Sequence, residues 1–194
     1  MKQIVYLDTE TTGLNPNKGA EIIEVCCIKG GELLHLKITP LTLEYADPIA
    51  LQINGYNAKD WQNSMHPKQA AKQVAAFVNG CIVCAHNPHF DMQHLLYLFD
   101  NYNVECSVDY RYIDTVVLAR EHLQPCGLRS LKMDSIRAFL GWPIDQHHTA
   151  YNDTKDVQRL HKLLTRATVL QRFWWSLRYK ALCWLGLIAS HKAS

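Results

Sequence analysis

Asp8 and Glu10 stand two residues apart in an otherwise apolar stretch, IVYLDTETTGL over residues 4–14. Alternation along a strand puts Ile4, Tyr6, Asp8 and Glu10 on one face and Val5, Leu7 and Thr9 on the other, so two carboxylates stand side by side. Unpaired carboxylates in a buried strand are costly to desolvate, and a divalent cation is the cheapest compensation. Residues i and i+2 lie roughly 6.5 to 7 Å apart along a strand, which can bracket two ions about 3.5 to 4 Å apart, as two-metal phosphoryl chemistry requires. A strand fraying at an exposed Asp-Thr-Glu would carry the same letters, so the pair needs partners elsewhere. Two aspartates offer themselves. Asp91, in HNPHFD, falls in the first turn of an expected helix and shares a stripe with Leu95, Leu98 and Tyr102; Asp153, in HTAYND, does the same with Val157, Leu160 and Leu164. A first-turn aspartate can also simply favour the helix dipole. Asp114, at a strand-to-helix junction, reads as an N-cap. His147 and His148 lie in the loop feeding the last of these helices, and an imidazole with an unperturbed pKa of about 6.5 suits general-base work near neutral pH.

The elements that must hold these groups follow from patterning. Residues 21–28 and 32–38 read as strands around Lys29, Gly30 and Gly31, a hairpin signal. Asp47 caps and Pro48 opens a short helix closed by Gly55, and a longer helix over 67–79, with Ala71, Val74 and Val78 as its stripe, ends at Gly80. A strand over 81–85 leads to Asn87 as a cap and Pro88 as the start of the helix bearing Asp91. A further strand over 109–113, a helix over 127–140 broken at 141–143 and a helix over 149–165 complete the pattern. Three strands with a hairpin followed by alternating helices and strands predict an α/β fold with a mixed sheet covered by helices on both faces.

At 194 residues the chain fits one domain with a substantial core, and its 48% hydrophobic and 20% charged residues exclude a disordered or low-complexity protein. Lys2 leads straight into the first strand with no signal peptide, and seven cysteines without repeated spacing predict thiols in a reducing compartment, hence a cytoplasmic protein. Cys81 and Cys84 form a lone CxxC inside a strand, where positions three apart face opposite ways, which argues against zinc. From Lys155 onward there are eight Lys or Arg against one acid, a net +7, while residues 1–154 carry 12 bases and 17 acids, a net −5. An acidic body with a basic end predicts a polyanionic partner and a separate cation-binding site. Within 166–194, Leu170, Phe173, Trp174, Leu177, Trp184, Leu185 and Ile188 trace an apolar helical stripe, with Arg172, Trp175, Arg178, Tyr179 and Lys180 off it. Its longest uncharged run, 181–190, is shorter than the roughly 20 residues of a membrane span. This helix could pack on the domain's own core, track a nucleic-acid strand, or dock a polymerase, another protein or a membrane surface.

DTETTG with Asp8 and Glu10, HNPHFD with Asp91, and HTAYND with His148 and Asp153 resemble, in order and in structural context, the three motifs of the DEDDh 3′–5′ exonucleases, the family of the DNA polymerase III proofreading subunit. Those motifs are D-x-E, a helix-borne aspartate and H-x-A-x-x-D, and the likeness spans residues 2–165. IDTVVLAR and SLKMDSI resemble the segment between the second and third motifs. The resemblance implies a ribonuclease H-like mixed five-stranded sheet flanked by helices, with Asp8 and Glu10 on the central strand. It implies an exonuclease domain over 1–165; 166–194 lies beyond the likeness and, from its own residues, is expected to be a basic aromatic extension packed on the same domain. It also implies that Asp8, Glu10, Asp91 and Asp153 hold two Mg²⁺ or Mn²⁺ ions for hydrolysis of single-stranded or frayed 3′ DNA ends to nucleoside 5′-monophosphates. His148 is then the general base, because it lies five residues before Asp153, whereas His147 lies six before; a sister class would need a tyrosine where Thr149 stands. Thr11 and Leu14 should lie against the 3′-terminal nucleotide. Where the family often has His-Gly near that nucleotide, this chain has Asn54 and Gly55, so contacts there are its own. The same five residues would serve an exoribonuclease or oligoribonuclease, since 2′-OH contacts are not legible here. A binding or polymerase-tethering module with a silent site would have lost one of the five, and all are present.

Overall fold

The computed structural model describes residues 2–143 and 149–184. By backbone contacts it groups into two units, Met1–Asp114 with Asp145–Arg159, and Thr115–Ile144 with Leu160–Ser194. The first holds the five-stranded sheet: β1 (Ile4–Thr11), β2 (Ile22–Lys29), β3 (Glu32–Lys37), β4 (Ile82–Ala85) and β5 (Asp109–Asp114), in the order β3-β2-β1-β4-β5. β2 runs antiparallel to β1 and β3, whereas β4 is parallel to β1 and β5, so the sheet is mixed, as expected. Gly30 and Gly31 both take positive φ, 57° and 94°, in the tight turn between β2 and β3. The sheet order reverses beside β1, and the carboxyl ends of β1 and β4 point the same way, which is where open α/β sheets place their sites.

Helices α1 (Pro48–Ile53), α2 (Pro67–Val78) and α3 (Pro88–Asn101) also belong to the first unit. Val5 and Leu7 of β1, with Val25 and Cys27 of β2, share one apolar cluster with Ala71, Val74 and Val78 of α2 and Leu95 and Phe99 of α3. That face of β1 carries Val5 and Leu7, and the alternation leaves Asp8 and Glu10 on the other. The start of α6 (Ala150–Thr165) covers this second face, tied down by Thr154 Oγ1, which lies 3.2 Å from Cys26 O and 2.7 Å from Ala150 O. The cap at Asp47 is present, its carboxylate accepting from Ile49 N at 2.8 Å. Asn87 is not the side-chain cap expected: it takes a left-handed conformation, φ 75°, and its own N–H donates to Asp114 Oδ1 at 3.2 Å. Asp114 therefore links the ends of β4 and β5, in addition to preceding α4 (Thr115–His122).

The second unit contains α4, α5 (Met133–Leu140), the rest of α6 and α7 (Val169–Trp184). The helix expected over 127–140 begins only at Met133, because Gln124–Cys126 form a 3₁₀ turn closed by Gly127 at φ 113°. The stripe expected on α7 is inverted. Leu170, Phe173, Trp174 and Leu177 are exposed, Trp174 to 69%, while the opposite side is packed within the unit. There Tyr179 lies on Phe139, ring centroids 5.4 Å apart, Arg178 Nη1 donates to Leu140 O at 2.8 Å, and the Cys126 thiol meets Arg172 O at 3.3 Å. The physical reason is the pair Gly127 and Gly141, where an added Cβ would collide with Tyr179 and Arg178; two missing side chains make room for two large ones. Leu185 and Ile188 of the same stripe lie outside the described residues.

Candidate active site

β1 delivers its two acids at the carboxyl end, where Glu10 and Thr11 are separated by a shift of register against β2. Asp153 is buried in the first turn of α6, its N–H donating to Thr149 O at 3.0 Å. Ligand oxygens of Asp8, Glu10 and Asp153 lie within 4.8 Å of one another. Asp91 stands just outside this trio. It rises from α3 on the opposite face of β1, and Thr9 fixes it there: Thr9 N at 3.0 Å and Thr9 Oγ1 at 2.8 Å both donate to Asp91 Oδ1. The four predicted carboxylates thus converge on one strand end from both faces of the sheet.

Their electrostatics are those of buried, like-charged groups crowded together. Burial, then the charges of Asp91, Asp153 and Glu10, drives Asp8 well above the usual carboxylate range. Burial, then Asp153, Glu24 and Asp91, pushes Glu10 up to about 8. Burial raises Asp91 to about 7 against the lowering effect of the Thr9 hydrogen bonds, with Asp114 adding to the rise. Neither Asp8 nor Glu10 has a Lys or Arg partner among the described residues. Hard oxygen donors crowded this way fit divalent metal ions of the Mg²⁺ and Mn²⁺ kind, whose charge would invert the balance. Among the described residues no other group of three His, Cys, Asp or Glu side chains gathers so closely. Cys81 and Cys84 are buried free thiols.

The other predicted site residues divide. His148 lies outside the described residues. Thr11 is buried and its hydroxyl donates to Gly13 O at 2.7 Å, so its side chain shapes the turn. Leu14, at the tip of that turn, is 79% exposed. Asn54 at the end of α1 donates from Nδ2 to Thr11 O at 2.8 Å, which brings its amide to the edge of the site. Two participants escaped sequence reasoning. Thr9 was placed only on the face opposite Asp8 and Glu10, yet it positions Asp91. Glu24, 3% exposed, pairs directly with Glu10 across β1 and β2 and bonds His35 Nε2 through Oε1 at 2.6 Å. An acid on the same alternation as Ile22 and Cys26 in an apolar strand was the available signal.

A family model described as Exonuclease matches residues 5–160. Among curated proteins, a DNA polymerase III PolC-type from Thermotoga maritima is 32% identical over 156 residues, 78% of this chain and 11% of the relative. A 3′-5′ exonuclease DinG from Bacillus subtilis is 27% identical over 162 residues, 79% of this chain and 16% of the relative. The chain therefore spans only a small part of either relative's length. Among solved structures, the zinc-bound form of an E. coli exonuclease I complex with single-stranded DNA superposes with a TM-score of 0.72 at 19% identity, over 97% of this chain and 46% of that one, a likeness of fold.

Proposed function

Because the chain belongs to the exonuclease family, we propose that it is a 3′–5′ exonuclease acting on the single-stranded or frayed 3′ ends of DNA and releasing nucleoside 5′-monophosphates. The observation that carries this reading is the convergence of Asp8, Glu10 and Asp153 within 4.8 Å, with Asp91 anchored beside them by Thr9. Asp8, Glu10, Asp91 and Asp153 would hold two Mg²⁺ or Mn²⁺ ions. When bound, such ions neutralise charge developing on a phosphodiester and make water a stronger acid. The chain's own residues do the rest. Glu10 and Asp91 surrender their protons to become ligands, Thr9 keeps Asp91 aimed, and His148 accepts the proton of the attacking water. Leu14 and Asn54, at the mouth of the site, contact the terminal nucleotide, and Thr11 holds the turn that presents Leu14.

The same reading takes residues 1–165 as the nuclease domain, supported by a family match ending at residue 160. It takes 166–194 as a basic extension whose outward apolar stripe on α7 docks a polymerase or another protein. No helix among the described residues is long and apolar enough to cross a membrane. The test is a digestion panel of 3′- and 5′-labelled single-stranded DNA, duplex DNA and RNA, with Mg²⁺ and with EDTA. Stepwise shortening of 5′-labelled single-stranded DNA that EDTA stops is the expected result. Preferential shortening of RNA would transfer the assignment to an exoribonuclease, and no shortening of any substrate would reject it.

A further inference from the structure

The acidic face of β1 does not end at β1. Register pairs Asp8 with Cys26 and Cys26 with His35, and likewise Glu10 with Glu24 and Glu24 with Lys37. Residues directly opposite one another on neighbouring strands share a face, so two rows of side chains run from the carboxylates across β2 to β3. Two strand spacings put Lys37 about 10 Å from Glu10. Along this row lies a cleft of about 540 Å³, bordered by Asn54 on one side and by Tyr151 and Asn152 of α6 on the other. That volume is within the range of pockets that take small-molecule-sized groups, roughly 300 to 1,000 Å³.

The two acids lining the cleft each bond a neighbour. Glu24 is bonded to His35, whose ring stacks on Tyr151 at 5.6 Å. Asp60 accepts from Asn57 Nδ2 at 2.6 Å and closes a turn on it through its own N–H. Lys37 is different: its ammonium rests 4.0 Å above the Trp61 ring, with no carboxylate at ion-pair distance among the described residues. Beyond the Asp60 carboxylate held by Asn57, a ligand meets one cation, the Asn152 amide and an aromatic wall. A single nucleotide unit, with one phosphodiester charge and a flat base edged by donors and acceptors, complements that set.

We infer that this cleft is a subsite for the second nucleotide of the strand, with Lys37 holding the phosphate on its 5′ side and Asn152 facing its base. This rests on the nuclease reading above, because the cleft adjoins the scissile position only if Asp8 and Glu10 are the catalytic acids. Neither β3 residue belongs to the carboxylate set, so Lys37 is a positioning residue.

Two dinucleotides isolate it: dTpdT, which has no phosphate 5′ of the second nucleotide, and pdTpdT, which does. The full chain with Mg²⁺ should show a KM about tenfold lower for pdTpdT, in line with one charge-assisted contact, at similar kcat. Lys37→Gln, and Lys37→Met, which keeps the packing on Trp61, should erase that difference while leaving dTpdT unchanged; Lys37→Arg should restore it. Equal effects of Lys37→Gln on both substrates, or no effect on either, would overturn the subsite. If the parent chain cleaves neither dinucleotide, calorimetric titration with the same pair decides separately. Tighter binding of pdTpdT that Lys37→Gln abolishes would retain the subsite, with the nuclease reading decided by the digestion panel, and absence of that preference would reject the subsite.

Discussion

Thr9 is a core-facing residue of β1 whose hydroxyl and N–H nevertheless decide where a candidate metal ligand sits. Outer-shell partners of this kind are commonly worth 10- to 100-fold in metal affinity, so Thr9→Val should weaken Mn²⁺ binding by about that factor in a calorimetric titration while the fold persists. The crowded carboxylates also set a pH dependence. Glu10 and Asp91 have raised pKa values, about 8 and about 7, so the metal-free folded chain retains protons that the unfolded chain releases from about 4.5 and 3.8 upward. Their contribution to stability is complete at pH below those unfolded values and is lost as pH rises through 7 to 8. A metal-free melting series should therefore fall between about pH 4.5 and 8, and the increment given by Mg²⁺ should grow across the same window, because ligands must shed protons to bind. A Mg²⁺ increment that shrinks with rising pH would contradict the ligand assignment. For the base, His148→Ala should cost about 10²- to 10⁴-fold in kcat and His147→Ala much less, with metal binding kept in both. Equal losses would break the register that places His148 five residues before Asp153.

At the scale of elements, α7 shows how packing can overrule amphipathicity. A helix with aromatics on both sides has two candidate inner faces, and the choice here follows the room left at Gly127 and Gly141. Trp174 and Tyr179 then differ in cost. Trp174→Glu removes an exposed ring and should change stability by no more than about 0.5 kcal/mol, whereas Tyr179→Ala strips a half-buried ring from Phe139 and should cost about 1 to 2 kcal/mol. Urea unfolding of the two variants checks this, and the reverse order would restore the face expected from periodicity. The helix over 127–140 fails for a related reason: the apolar positions are real, but Gln124–Cys126 and Gly127 spend the first residues on a tight turn. β1 and α3 behave as their patterns require, since Val5, Leu7, Leu95 and Phe99 all enter one core.

For the whole molecule, the charge asymmetry supplies a test that needs no site. Lys162, Arg166 and Lys180 are exposed in the basic segment from Lys155 onward. If they neutralise phosphates of a single strand, each lost contact should flatten the slope of log affinity against log salt by about 0.7. A triple Lys/Arg→Gln variant measured by fluorescence anisotropy with EDTA should show a slope shallower by up to about 2, and an unchanged slope would remove this segment from the DNA path. The amino-acid sequence by itself determined the mixed α/β sheet and singled out Asp8, Glu10, Asp91 and Asp153 as candidate acids, of which Asp8, Glu10 and Asp153 cluster, because strand alternation and first-turn placement are local properties written into residue order. Only the tertiary structure decided which residues meet across elements. Glu24 comes opposite Glu10 through register, Asp91 is received by Thr9 from the far face of the sheet, and α7 turns its tryptophan stripe outward. Each of these depends on contacts between segments distant in the chain, and no periodicity within one segment carries that information.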